Sequence, residues 1–366
     1  MSDFNILRVN ECNRMIYNAV RGPKKWFFFW ACAVLMLFLN LGTGSIISGV
    51  ESQWLVMAQE IIRSGDWFQP TVNGEVASGS PMICSWFIAL ISLFAGEINL
   101  FTARMPSALA ALLLLGCTTG IARNLFGEKT AFLSGWILMT FYPFCMLGRT
   151  AGPEMENMAF TAAAVAWYVY CRNRRTLLDY FLFWAICSVG AQTGGFSVLI
   201  VPPCLVFMDL LLNSKLRSLL EWRFVAGTFL GILVYGLPFV LRIMTAWNAE
   251  ADLSLFLEQI LSAVRTAVNR DHTWGIYLKN VWQSSLPWMV FFCIGAAGCV
   301  CRMFLHWKAV PPDEKWIFFS VLFLWILFPA CGFGEGNILP AVPFMAVYCG
   351  YFLVNIPERP EKEKCT

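Results

Sequence analysis

The run PMICSWFIALISLFAG, residues 81–96, decides the fold, because the number of membrane crossings depends on whether this run is one of them. Ser80, Pro81 and Gly96 bound it to about 15 apolar residues, whereas a helix needs roughly 20 to cross about 30 Å of hydrocarbon. A crossing here would move every later loop to the opposite side of the membrane. The charges of those loops therefore decide how the run is interpreted.

The composition of the whole chain is that of a membrane protein. Of its 366 residues, 58% are hydrophobic and 13% are charged, while soluble domains carry about 25% charged residues. The net charge of +3 is spread over many short loops, so no basic surface for nucleic acid is predicted. Most of the 14 Cys residues stand inside apolar runs without zinc-type spacing, and we interpret them as small apolar side chains.

Ten other apolar runs are candidates for membrane-spanning helices. They are residues 26–47, 103–122, 130–148, 156–171, 176–191, 195–213, 223–247, 286–305, 315–331 and 337–355. With 81–96 non-spanning and the N-terminus cytoplasmic, about 19 of the 26 Lys and Arg residues lie inside and about seven outside. Counting 81–96 as a span gives about 11 inside and 15 outside, against the positive-inside tendency.

We therefore predict an all-α fold, a polytopic membrane helix bundle with about ten spans and with interfacial helices in the first outer loop. Residues 51–64 suit such a helix, because Trp54, Ala58 and Ile61 share one face. Residues 1–25 and 356–366 are expected to be cytoplasmic tails and residues 26–355 one membrane domain. A prokaryotic plasma membrane is the expected location. Gly227 and Gly231, four residues apart, predict close helix packing.

Two acidic residues stand at predicted helix starts on the outer face. Glu51 follows the first span, and Glu154 follows Pro153 at the start of a later span. A carboxylate at a helix N-terminus also suits the helix dipole, so each is ambiguous alone. Together they could hold a divalent metal ion, or one could act as a general base on an acceptor hydroxyl.

The long outer loop, residues 248–285, contains further polar candidates. Arg265, Arg270, His272 and Tyr277 lie in it. Arginine side chains bind phosphate or pyrophosphate through paired hydrogen bonds, although loop arginines are equally often solvated charges. His272 as a metal ligand is the less favoured interpretation.

Several pieces of the chain, in the same order, resemble a known family of membrane enzymes. They are Glu51-Ser-Gln-Trp, Arg63-Ser-Gly-Asp66-Trp67-Phe-Gln-Pro70, Asn73-Gly74-Glu75, Phe101-Thr-Ala-Arg104-Met-Pro-Ser107, Arg149-Thr-Ala-Gly-Pro153-Glu154, Arg270-Asp-His272, Leu286-Pro287-Trp288 and Asn337-Ile-Leu-Pro340-Ala-Val-Pro343. The chain thus resembles the GT-C membrane glycosyltransferases of the protein mannosyltransferase and aminoarabinose transferase superfamily, as a divergent member.

This resemblance implies a sugar donor carried on a polyprenyl phosphate and bound from the outer leaflet. Glu51 would be the base or the acceptor-orienting group, with Glu154 as its partner. The implied substrate-binding residues are Arg149, Arg265, Arg270, His272, Tyr277 and Ser80. The other implied partners are membrane lipids and an acceptor of unidentified class. A divalent metal ion is compatible with the site, and no other cofactor is implied.

The chain departs from the family pattern where positive charges are expected. Ser80 replaces a Lys, Thr193-Gly194-Gly195 stands where Lys-Gly-Pro is common, and Glu335 replaces a basic residue. Each missing charge-assisted hydrogen bond would contribute roughly 1.5–3 kcal/mol. Two alternatives therefore stay open: a catalytically weakened relative that binds polyprenyl-phosphate lipid or partners an active paralogue, and a transporter or flippase of amphipathic lipids. Transporters typically show paired interrupted spans or an internal repeat, and neither is clear here.

Overall fold

The computed structural model describes residues 23–44, 49–68, 71–72, 75–76, 82–195, 197–245, 274–330 and 339–356. Within them nearly all regular structure is helical, so the predicted all-α class is confirmed. The α-helices are α1 (Pro23–Phe38), α2 (Gly49–Ser64), α3 (Met82–Ala95), α4 (Leu100–Phe126), α5 (Glu128–Met139), α6 (Tyr142–Leu147), α7 (Pro153–Cys171), α8 (Leu177–Gly194), α9 (Ser197–Leu212), α10 (Trp222–Thr245), α11 (Trp274–Ser285), α12 (Trp288–His306), α13 (Pro312–Ala330) and α14 (Val342–Asn355). Short 3-10 helices cover Leu216–Leu220, Trp307–Ala309 and Leu339–Ala341. Strands β1 (Thr71–Val72) and β2 (Glu75–Val76) form one small antiparallel pair.

The long helices run back and forth between two ends of one bundle. Helix α7 begins beside Glu51, since the backbone N–H of Ala151 donates to the Glu51 carboxylate over 3.1 Å. It finishes at Arg172, whose guanidinium bonds Asp209 near the end of α9 and Asp313 at the start of α13. Its 19 residues separate the two places by about 28 Å. We call them the Glu51 end and the Arg172 end.

Helix α3 lies across the Glu51 end. Near its start, the thiol of Cys84 lies against Glu156 in the first turn of α7. Near its finish, Ser92 Oγ lies 3.1 Å from Oγ1 of Thr102 in the first turn of α4. Because α4 and α7 both start at the Glu51 end, α3 begins and finishes on the same side of the bundle. This geometry agrees with the prediction that residues 81–96 do not span, while the exact number of spans stays a prediction.

The predicted apolar face of α2 is present, but it packs on protein where the sequence predicted lipid. Trp54, Ala58 and Ile61 are buried, and they cluster with Ala103 of α4 and Ala151. Helix α3 also contributes to this cluster. An apolar stripe has the same pattern whether lipid or protein covers it, so the pattern alone does not identify the covering surface.

The predicted span 130–148 is divided into α5 and α6. Thr140 and Phe141 separate the two helices, and Pro143 is the second residue of α6. Proline has no N–H to donate and disfavours helical geometry in the residue before it. A contact from α12 stabilises the break, because the indole N–H of Trp288 donates to Thr140 Oγ1 over 2.8 Å.

The outer surface of the bundle suits lipid. Phe94 and Phe304, for example, are 90% and 88% exposed. By length and composition, Leu100–Phe126 and Trp288–His306 are the described helices that qualify to cross a membrane. Shorter apolar helices accompany them at Ile83–Ala95, Leu177–Thr193, Ser197–Leu212, Trp222–Pro238 and Val342–Asn355.

The predicted close packing at Gly227 and Gly231 is confirmed. A Cβ added to Gly227 would lie 2.5 Å from Cβ of Tyr180, and one added to Gly231 would lie 2.2 Å from Cβ of Trp184. Helices α8 and α10 therefore approach each other more closely than larger residues would allow.

Candidate active site at the Glu51 end

A buried ion pair organises this end of the bundle. Glu51 lies in the first turn of α2 and is 1% exposed, and Arg104, near the start of α4, is 3% exposed. The guanidinium donates from Nε to Oε1 over 2.7 Å and from Nη2 to Oε2 over 3.1 Å. This paired geometry is the strongest that an arginine and a carboxylate form, and it fixes both side chains in orientation.

Backbone groups hold the pair in place. Nη1 of Arg104 donates to the carbonyl oxygens of Leu41 and Thr43, just after α1, over 3.1 and 3.3 Å. The N–H of Ala151 donates to Glu51 from the turn that precedes α7. In the same turn, the carbonyl of Gly152 accepts a hydrogen bond from Ser107 Oγ of α4 over 3.3 Å. One ion pair thus connects α1, α2, α4 and the start of α7.

Glu154 follows that turn directly and is half-buried. Pro153 begins α7, and Glu154 is the next residue, so its carboxyl group lies at a helix N-terminus. A Cβ added to Gly152 would lie 2.4 Å from Oε2 of Glu154, which means that the side chain folds back over the turn contacting Glu51. The two predicted acids are therefore brought to the same end of the bundle. No described cation forms a salt bridge with Glu154.

Glu156 is an acid of this site that sequence reasoning missed. It is 2% exposed, and neither carboxyl oxygen forms a hydrogen bond of normal geometry with a described residue. The thiol of Cys84 and the carboxyl group of Glu154 are its polar neighbours. Burying a carboxyl group without partners is unfavourable, so a purely structural role does not explain it. The available signal was the pair of glutamates at 154 and 156 in the first turn of one apolar helix.

Arg149, a predicted phosphate-binding residue, is engaged with the backbone. Nη1 donates to the carbonyl oxygen of Met36 over 2.7 Å, and Nη2 donates to those of Leu39 and Asn40 over 2.8 and 3.4 Å. The last carbonyl groups of a helix lack intrahelical partners, and a cation suits that end of the helix dipole. Arg149 therefore caps α1, and its predicted phosphate contact stays a prediction.

The other predicted site residues are not placed by the structure. Ser80, Arg265, Arg270 and His272 lie outside the described residues, and of Tyr277 only the backbone, in α11, is described. Their roles stay predictions. Among the described residues, no three His, Cys, Asp or Glu side chains form a group that could hold a metal ion.

The site as described carries more carboxyl groups than cations. Arg104 compensates Glu51, while Glu154 and Glu156 have no cationic partner among the residues placed by the structure. Apolar side chains around Trp54 and Ile88 shield this polar centre from one side. Such an arrangement can orient a hydroxyl group and accept its proton, since electrostatic interactions strengthen where water is excluded.

The sequence of the chain is similar to those of known proteins. Residues 79–242 match the family model described as dolichyl-phosphate-mannose-protein mannosyltransferase. An uncharacterized protein of Aquifex aeolicus is 28% identical, over 90% of this chain and 64% of its own length. The undecaprenyl phosphate-alpha-4-amino-4-deoxy-L-arabinose arabinosyl transferase of Shewanella sediminis is 24% identical, over 90% of this chain and 60% of its own length. The chain therefore spans somewhat under two thirds of the length of these relatives.

A solved structure has the same fold. The crystal structure of ArnT from Cupriavidus metallidurans bound to undecaprenyl phosphate superposes with a TM-score of 0.76 at 18% identity, covering 92% of this chain and 61% of that one. The chain is a multi-pass integral membrane protein that is similar in sequence to the dolichyl-phosphate-mannose-protein mannosyltransferase family and to aminoarabinose transferases, and similar in fold to ArnT.

Proposed function

We propose that this chain transfers a sugar from a polyprenyl-phosphate donor to an acceptor at the outer face of the membrane. The observation that carries the proposal is the Glu51–Arg104 pair, which is held against the turn that leads into Glu154. The names of the relatives support the donor class, since one is named for an undecaprenyl-phosphate-linked sugar and one structure holds undecaprenyl phosphate. The acceptor class is left open.

In the proposed reaction, an acceptor hydroxyl attacks the anomeric carbon of the donor sugar. A new carbon–oxygen bond forms while the bond to the phosphate oxygen breaks, and its electron pair leaves with the polyprenyl phosphate. The hydroxyl proton passes to a carboxylate. Glu154 suits this step because it is half-buried and not ion-paired to a described cation, while both oxygens of Glu51 accept hydrogen bonds from Arg104. We assign Glu51 to orienting the acceptor.

The proposed orientation places the Glu51 end outside a prokaryotic plasma membrane and the N-terminus in the cytoplasm. It is supported by the cations at the opposite end, where Arg172, Arg174 and Arg175 follow α7 and Lys25 contacts Glu128. A lipid-linked donor carries its head group at the interface, which is where the Glu51 end would lie. Residues 26–355 would then form the membrane domain, with cytoplasmic tails at 1–25 and 356–366.

The test is sugar transfer in membranes from a radiolabelled polyprenyl-phosphate donor. We expect Glu154→Gln to lower the rate by about 100-fold or more, because loss of a proton-transfer group typically reduces rates by 10²–10⁴. Glu51→Gln should also lower the rate, because the group that orients the acceptor loses its charge and its paired hydrogen bonds with Arg104. Glu128→Gln is the matched control, since Glu128 is also a glutamate in the first turn of a helix but lies at the Arg172 end. Wild-type rates in both site variants would contradict the proposal.

A second candidate is a relative that binds polyprenyl phosphate without transferring sugar. The occupied oxygens of Glu51 and the serine at position 80 favour it. The same assay separates the two candidates. Tight binding of polyprenyl phosphate by the wild-type chain, with no transfer from any donor offered, would support this second function.

A further inference from the structure

A second concave site lies at the Arg172 end, on the far side of the bundle from Glu51. It is an open pocket between α7, α8, α9, the Leu216–Leu220 turn and the start of α10. Its wall is mainly apolar and includes Trp167, Phe183, Val206, Leu210 and Phe224. A concave surface with an apolar wall and few polar groups is typical of a ligand site.

One cation lining the pocket has unused donors. Arg175 is half-buried, and its Nε donates to the carbonyl oxygen of Arg172 over 3.2 Å. Its two terminal nitrogens form no hydrogen bond or ion pair with any residue that the structure describes. The residue also adopts a left-handed backbone conformation, with φ of 49°, which is uncommon for a residue with a long side chain.

The neighbouring charges of the pocket are already engaged. Arg172 bonds Asp209 over 2.6 Å and Asp313 over 2.7 Å. Asp179 caps α8, since its Oδ2 accepts hydrogen bonds from the backbone N–H and the hydroxyl of Thr176, each over 2.8 Å. Arg175 is therefore the cation of this pocket that remains available to an anionic group.

We propose that this pocket binds one anionic phospholipid from the leaflet at the Arg172 end, with its phosphate on Arg175 and an acyl chain along the apolar wall. Free inorganic phosphate would leave the aromatic wall unused, and an uncharged lipid would leave the guanidinium without an anion. The site is separate from the proposed donor site, because the length of α7 lies between them. This inference goes beyond the proposed function and does not depend on it.

The test measures lipid retention by the purified full-length chain in detergent, using native mass spectrometry. The probes are phosphatidylglycerol and phosphatidylcholine with the same acyl chains. We expect one retained phosphatidylglycerol, and at least about tenfold weaker retention in Arg175→Gln, because a hydrogen bond to a charged group is lost. Arg174→Gln is the matched control, since Arg174 lies in the same turn, exposed, over the Tyr170 ring at 5.1 Å; it should retain the lipid as the wild type does.

A second variant tests the apolar part of the pocket. Leu210→Trp should fill the space beside the wall and abolish retention, with thermal unfolding as the check that the variant folds. If that variant does not fold, the Arg175→Gln and Arg174→Gln pair still decides the matter. Equal retention by these two variants, or equal retention of both phospholipids by the wild type, would overturn the proposal. Displacement of phosphatidylglycerol by polyprenyl phosphate that depends on Arg175 would also overturn it, because the pocket would then belong to the carrier lipid.

Discussion

The two ends of the bundle treat their acidic residues differently. At the Arg172 end, Asp209 accepts hydrogen bonds from Arg172 over 2.6 Å and from Tyr168 over 2.5 Å. Glu314 there is paired with Arg302 and also accepts from Tyr351. At the Glu51 end, Glu51 has Arg104, but Glu154 and Glu156 have no cationic partner among the described residues. Acids at the Arg172 end hold the helices together, whereas the burial of Glu156 without a cation is unfavourable, which fits the proposal that the chemistry lies at the Glu51 end.

The largest effect is expected from Arg104→Ala. The substitution would leave the Glu51 carboxylate buried without its cation, and removing one partner of a buried pair destabilises a protein by about 3–5 kcal/mol. Equilibrium unfolding in mixed detergent micelles measures the change. A loss below about 1 kcal/mol would mean that the pair does not organise the Glu51 end.

Asp209→Asn should lower the unfolding free energy by less than Arg104→Ala does, and it should leave sugar transfer unaffected. It removes the charge that faces Arg172 but keeps a hydrogen-bonding side chain, and Asp313 still pairs with the arginine. We expect a loss of about 2 kcal/mol of unfolding free energy. Sugar transfer per folded molecule should stay close to that of the wild type. A large fall in that rate would contradict the assignment of a purely stabilising role to the acids of the Arg172 end.

Glu156→Met should raise the unfolding free energy, whereas the two substitutions above lower it. Methionine has a similar length and no carboxyl oxygens, so it removes a buried carboxyl group that forms no hydrogen bond of normal geometry with a described residue. We expect the unfolding free energy to rise by about 1–3 kcal/mol, the typical penalty of an unsatisfied buried polar group. A loss comparable with that of Asp209→Asn would show that Glu156 has a stabilising partner.

The smallest effect is expected at the surface of the Arg172 end. Glu128 is half-exposed and contacts Lys25, whose side chain is 10% exposed, over 2.8 Å; an ion pair with one partner open to water contributes less than a fully buried one, because water and salt screen it. Glu128→Gln should therefore leave both unfolding and transfer unchanged within error. A measurable loss of unfolding free energy or of transfer rate would mean that the Glu128–Lys25 pair contributes to the stability or the activity of the whole protein.

The path of the chain through the membrane, and the side on which the acids lie, could be predicted from the sequence. Loop charges predicted that residues 81–96 do not span, and α3 begins and finishes at one end of the bundle, in agreement with that prediction. The same analysis expected Glu51 and Glu154 on one side, where the structure places them. These inferences succeed because membrane thickness and loop charge act on whole segments, independently of side-chain packing.

The contacts within the site could not be predicted in the same way. Arg104 is 53 residues from Glu51 in sequence, and only the tertiary fold, in which α2 packs on α3 and α3 packs on α4, brings the two together. The burial of Glu156 depends on how α7 is rotated, and a helix that is apolar on nearly every face gives no signal for its rotation. The contact of Arg149 with the end of α1 was not predicted either, because it depends on the positions of the carbonyl oxygens of Met36 and Leu39 in the folded chain; the predicted phosphate contact of Arg149 stays a prediction.

The most direct test is the rate of sugar transfer per folded molecule in Glu154→Gln and Asp209→Asn, measured side by side with one polyprenyl-phosphate donor. We predict that Glu154→Gln folds normally and loses about 100-fold or more of the rate, while Asp209→Asn is less stable and transfers sugar nearly as fast as the wild type. Full activity in Glu154→Gln, or an equal loss in both variants, would contradict the assignment of chemistry to the Glu51 end.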